Sequence, residues 1–293
     1  MKKVILALSF VVLAFSVLAL AAKPEFVLAT VGPSGGKATV VIPEHAVEVS
    51  PGVFSLGTAV HDGKTVEGYM IIDKVNPAKP SGCNNDGKCQ GWEDASCADC
   101  SGGTDPGASS CYGFLSKGAK WKTVEPYVVN PSNTEGLTET FVVDNLAADI
   151  QKWEDAAGSD IIGSGSPTAL PLEADTVTPD GVNEVYFGEI DDPGTIGVTI
   201  IWGVFRGPPK SRELVEWDQV YEQVDFDWSS SGEAGKMDFE NIATHELGHS
   251  VGLDDLYESA CSDQTMYGYA TEGETQKRTL EAGDIAGVQE LYK

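Results

Sequence analysis

The stretch His245-Glu246-Leu247-Gly248-His249-Ser250-Val251-Gly252 constrains this chain more than any other. Residues four apart on a helix leave the same face one turn apart, so the imidazoles of His245 and His249 point the same way and can grip one Zn²⁺. Asp238 is a natural N-cap, and Gly252 can take a positive φ and end the helix, so the pattern predicts a helix over 239–251. Two histidines leave a metal under-ligated. After the reversal at Gly252, Asp255 can come back beneath the metal as third ligand, with Asp254 the lesser candidate and one position left open for water. Glu246 is too close in sequence to share that face as a ligand, but it can reach such a water and act as general base. Glu272, Glu274 and Glu281 are rival third ligands. His45 and His61, far off in the chain, are expected in surface or packing roles. Gly248 costs about 1 kcal/mol relative to alanine in a helix, which points to close approach by another backbone.

The segments around this motif read as α+β. Strands are expected at 121–129, 184–190, 195–203 and 214–223. A helix is expected over 138–157, with Val143, Leu146, Ala147, Ile150, Trp153 and Ala157 on one face and Gly158 as its C-cap. A last helix is expected over 280–292. Together these make a main domain over 111–293. Residues 23–80 read as a separate small β-rich module, with Asp62-Gly63 as a hairpin turn. Residues 81–110 are a cysteine-rich segment and linker.

The first 22 residues pair Lys2 and Lys3 with an apolar run to Ala22 that ends in small residues, the pattern of a cleaved signal peptide. Retained, the run is just long enough to anchor the chain in a membrane. Either way the remainder is expected outside the cytosol. Six cysteines agree with export and with disulfides. Cys83, Cys89, Cys97 and Cys100 stand among Asn84, Asn85, Asp86, Glu93, Asp94 and Asp99, an oxygen-rich set suited to Ca²⁺. The formal net charge is −26, and −28 once the two lysines of residues 1–22 are removed. That charge argues against nucleic acid or an anionic membrane surface as partner.

The motif and its surroundings resemble the matrixin-type metzincins, whose pattern H-E-x-x-H-x-x-G-x-x-H precedes a methionine turn. The match falls on His245, Glu246, His249 and Gly252, with Asp255 where the family has histidine. Gln264-Thr265-Met266-Tyr267-Gly268-Tyr269 resembles the methionine turn, with Gly268 where matrixins commonly carry proline. Leu280, Asp284, Ile285, Gln289, Leu291 and Tyr292 fit the last matrixin helix. The resemblance implies a twisted, mixed, five-stranded sheet with three helices, and a monomeric, secreted zinc endopeptidase acting on proteins or peptides. It makes Met266 a hydrophobic floor beneath the zinc; without it, Met266 reads as an ordinary core residue. It has an extended substrate pair with an edge strand, for which 195–200 is the candidate. Cys111 is expected to pair with Cys261, tying the start of the domain to the segment before Met266. The matrixin cysteine-switch motif is absent, and 23–80 is expected to be a propeptide or an accessory module. The rival of a different class is a non-proteolytic extracellular binding protein on a peptidase-like fold, against which an intact Glu246 argues.

Overall fold

The computed structural model describes residues 39–76 and 108–293. The expected signal segment and the cysteines from Cys83 to Cys100, with their candidate calcium ligands, lie outside the described residues. Eight strands carry the fold: β1 (Val47–Ser50), β2 (Val53–His61), β3 (Lys64–Val75), β4 (Glu125–Asn130), β5 (Ile162–Pro167), β6 (Asn183–Ile190), β7 (Thr195–Val204) and β8 (Glu213–Glu222). They form one mixed sheet in the order β1-β2-β3-β7-β8-β6-β4-β5. The pairs from β1 to β8 along this path are antiparallel, and those from β8 to β5 are parallel. The three helices are α1 (Glu139–Ala157), α2 (Phe239–Ser250) and α3 (Ala282–Tyr292).

Two expectations change here. Residues 39–75 do not stand apart as a module: β2 and β3 form a hairpin whose second strand pairs along β7 from Glu67↔Gly203 to Lys74↔Thr195. The sheet is therefore longer than five strands, and β7 is interior rather than an edge. The hairpin turns at Asp62 and Gly63, both at positive φ (48° and 75°), the conformation that suits the right-handed twist of the flanking strands.

The helices pack on one face of the sheet, around Trp153, Trp217, Tyr221, Phe239 and Leu247. A second core of Met70, Ile72, Tyr186, Trp202 and Val220 fills the other face. Helix α1 is rotated from its expected face. Ala147 is exposed, while Asn145 and Asp149 are buried beside Leu146 and Ile150. Asp149 tolerates that position because Lys152 lies 2.7 Å away. Helix α3 starts two residues later than expected because Glu281 caps it, in a reciprocal capping box with Asp284.

Candidate metal centre

Helix α2 begins where the Asp238 carboxylate accepts the Asn241 amide at 3.1 Å. Arg278 clamps the same carboxylate at 2.6 and 2.7 Å, fixing the entry to the helix. The helix ends at Ser250, and Gly252, at φ 106°, reverses the chain. A β-carbon there would stand 3.0 Å from the Ala119 carbonyl oxygen, so the turn requires glycine twice over.

The reversal brings Asp255 beneath the two imidazoles. Its Oδ1 lies 3.3 Å from His245 Nε2 and 3.4 Å from His249 Nε2. The two rings stand perpendicular, with centroids 4.8 Å apart. Carbonyl oxygens take the opposite nitrogens, Thr265 that of His245 at 2.7 Å and Leu253 that of His249 at 3.0 Å. A carbonyl only accepts, so each Nδ1 carries the proton and each Nε2 turns its lone pair toward Asp255. His245 Nε2, His249 Nε2 and Asp255 Oδ1 are buried without a hydrogen-bond partner. Three lone pairs meeting out of water repel unless a cation stands among them, so the donor set fits a zinc ion.

Electrostatics bind the group together. Burial alone raises the Asp255 carboxyl, but the two imidazoles more than reverse that and hold it far below the usual carboxylate range. Burial lowers His249, yet Asp255 lifts it to about 9, so the carboxylate favours a positive charge at Nε2, a proton that a metal ion displaces when it takes the lone pair. The second Asp255 oxygen lies 3.0 Å from the Tyr257 hydroxyl, which also lies 3.1 Å from the Pro51 carbonyl oxygen.

Glu246 turns toward β7, where its Oε2 accepts the Thr199 hydroxyl and its Oε1 has no partner. A β-carbon on Gly197 would lie 2.5 Å from that Oε1. Burial pushes the Glu246 carboxyl up to about 7, Asp73 adds to the rise, and the two imidazoles oppose it. Asp73 stands opposite Gly197 in the β3–β7 ladder, fully buried, with both oxygens unpaired.

Met266 is buried against Gly248 and Trp153, and the Thr265 and Met266 amides both donate to Asp284, at 2.8 and 3.1 Å. Asp284 thus fixes the strip whose Thr265 carbonyl orients His245. Cys111 and Cys261 form a disulfide. Residues 213–293 match the family model described as Matrixin. Over that span the chain is matrixin-like. The span holds β8, both histidines, Glu246, Asp255, Met266 and α3. No curated protein matches the sequence. Among solved structures, the crystal structure of metalloproteinase-II from Bacteroides fragilis is 9% identical over 81% of this chain and 80% of that one, with a TM-score of 0.31. A likeness that distant carries no argument.

Within the matrixin-like span the rival third ligands fall elsewhere. Glu274 accepts the Thr271 amide and Glu281 caps α3. Asp254 turns away to accept the Asp255 amide at 3.1 Å. Outside the span, His45 contacts the Leu56 carbonyl and His61 lies 3.9 Å from Asp62. Neither joins a group of ligands among the described residues. Sequence reading missed Asp73, Thr199 and Tyr257. Asp73 and Thr199 sit in β-branched, apolar runs where a buried polar side chain breaks the pattern, and that break was the available signal.

Proposed function

We propose that this protein is a zinc-dependent endopeptidase exported from the cell, and that the β2–β3 hairpin holds it latent. The convergence of His245, His249 and Asp255 around three unpartnered buried atoms, with Glu246 beside them, carries the reading. His245 Nε2, His249 Nε2 and Asp255 would hold the metal. Bound there, zinc supplies Lewis-acid polarisation of a carbonyl and acidification of a water. Thr199 orients the Glu246 carboxylate, which takes a proton from the attacking water and delivers it to the leaving amine. Met266 floors the site, and the Thr265 and Leu253 carbonyls keep both imidazoles in the ligating tautomer. Export rests on the leader-like residues 1–22 and agrees with the Cys111–Cys261 disulfide.

Latency follows from what lies on β7. An extended peptide joins such a sheet by backbone pairing, yet β3 already fills the free side of β7. His245, Glu246 and His249 are all fully buried beneath this arrangement. The deciding experiment compares casein hydrolysis and zinc content for residues 23–293 and its Glu246→Ala variant, before and after limited proteolysis. Zinc in both proteins and activity in the processed wild type alone support the reading. Activity in processed Glu246→Ala would overturn the assignment of the base. Zinc in neither would overturn the metal centre.

A further inference from the structure

We propose that Asp73 is a fourth ligand of the metal in the latent protein, and that displacing β3 vacates its position for water and substrate. Within the zinc-peptidase reading above, on which this rests, the Asp73 carboxylate is what closes the site.

The strand register decides where Asp73 points. Asp73 and Gly197 are partners in the β3–β7 ladder, and residues directly opposite each other project to the same face. On β7 that face is the one toward α2. A β-carbon on Gly197 would meet the Glu246 carboxylate, and the Thr199 hydroxyl, two residues on, donates to it. Ile71, two residues back along β3, agrees: it joins the core beneath the helices, whereas Met70 and Ile72 join the core of the opposite face. Asp73 therefore projects toward the metal centre. Burial raises the Glu246 carboxyl and the Tyr257 phenol, and the charge of Asp73 adds to each rise. It thus stands near both the candidate base and the hydroxyl that bonds Asp255.

Neither oxygen of Asp73 has a hydrogen-bond partner, although the side chain is fully buried. An acid in that state needs a proton or a cation. The same holds for His245 Nε2, His249 Nε2, Asp255 Oδ1 and Glu246 Oε1, all buried and unpartnered. A proton shared between Asp73 and Glu246 would satisfy those two acids and leave the imidazoles and Asp255 orphaned. A cation answers the whole set at once. Two histidines and Asp255 fill three of zinc's four usual positions, and a carboxylate is an ordinary ligand for the fourth.

The backbone after Asp73 is gripped from both sides. Lys74 and Val75 pair in parallel with Tyr269 and Ala270, just past Met266, and the Asn76 amide donates to the Ala270 carbonyl at 2.8 Å. On the β7 side the Val75 amide donates to the Gly194 carbonyl at 2.9 Å, and Lys74 lies 2.8 Å from Asp192. These contacts hold Asp73 in place without using its side chain, which leaves the carboxylate free to ligate.

The test replaces zinc by cobalt in residues 23–293, in Asp73→Ala and in Asp73→Asn, and reads the visible absorption of the ion. All three proteins should take up cobalt, because His245, His249 and Asp255 remain, and the spectra of both variants should be shifted from the parent's. Azide, a small anion that ligates a vacant position, should then alter the spectra of the variants and leave the parent's unchanged. Asp73→Asn keeps the shape of the side chain, and circular dichroism of both variants separates a lost ligand from a lost fold. Spectra unchanged in both variants, or an azide response already present in the parent, would overturn the proposal and assign Asp73 to a proton shared with Glu246. Either result in a cobalt-loaded parent leaves the metal centre standing. A parent that takes up no cobalt would overturn the proposal together with that centre, so the two failures are told apart.

Discussion

Met266 lies so close to Gly248 that no β-carbon fits between them, and the Trp153 ring closes the same space at 2.8 Å. The glycine admits a side-chain floor beneath the helix that carries both histidines, rather than the second backbone expected from the sequence. Alanine is the better helix former by about 1 kcal/mol, but overpacking here costs about 1–3 kcal/mol. Gly248→Ala is therefore expected to lower stability in denaturant melts and to weaken zinc binding. A variant as stable as the parent would show that Met266 moves aside freely.

In the proposed mechanism Asp255 serves metal binding and Glu246 the chemistry, and substitutions should separate the two. Asp255→Ala should lose zinc by more than the roughly 10–100-fold that changes behind the ligands cost. Glu246→Ala should keep zinc and lose turnover. Asp284→Ala is expected within the smaller range, because it acts on His245 only through the Thr265 backbone. Competition with a chromophoric chelator reads all three. An Asp255→Ala protein with parental zinc affinity would return the third ligand to another residue.

Helix α2 was legible because cap, spacing and stop agreed: Asp238, the two histidines and Gly252 each demand the same element. The place of β7 was misread although its sequence carried the answer. Thr195 to Gly203 is buried on both faces, and a near-continuous apolar run marks an interior strand, whereas edges and half-exposed strands alternate. What covers β7 lies more than 100 residues earlier, and no local pattern records that pairing. The face of α1 shifted for a related reason. Asp149 is buried by virtue of Lys152, a partnership that apolar periodicity does not register.

Thr199 should tune the pH dependence of the reaction. Its hydroxyl bonds the ionised form of Glu246 and so opposes the rise that burial and Asp73 impose. Thr199→Val removes that bond, and the Glu246 pKa rises. The base is active when deprotonated, so the acid limb of kcat/KM moves to higher pH. Activity should fall more at pH 6 than at pH 8. A loss equal at every pH would assign Thr199 to positioning alone.

The pairing of β3 with β7 makes the last prediction. Asp73 and Gly197 are register partners at the point where Glu246 approaches the strand, so a substrate that aligns on β7 must first displace β3. A tethered strand competes at an effective concentration of millimolar order, so residues 23–293 should hydrolyse casein at least about tenfold more slowly than residues 108–293. Circular dichroism checks that the shorter chain keeps its helices. A folded, zinc-loaded but inactive 108–293 would mean that the hairpin completes the site instead of covering it. Added peptide spanning 64–76 should inhibit the shorter chain, and the same peptide with Ile71 and Asp73 replaced by proline should not, because proline cannot supply the amide protons of a ladder.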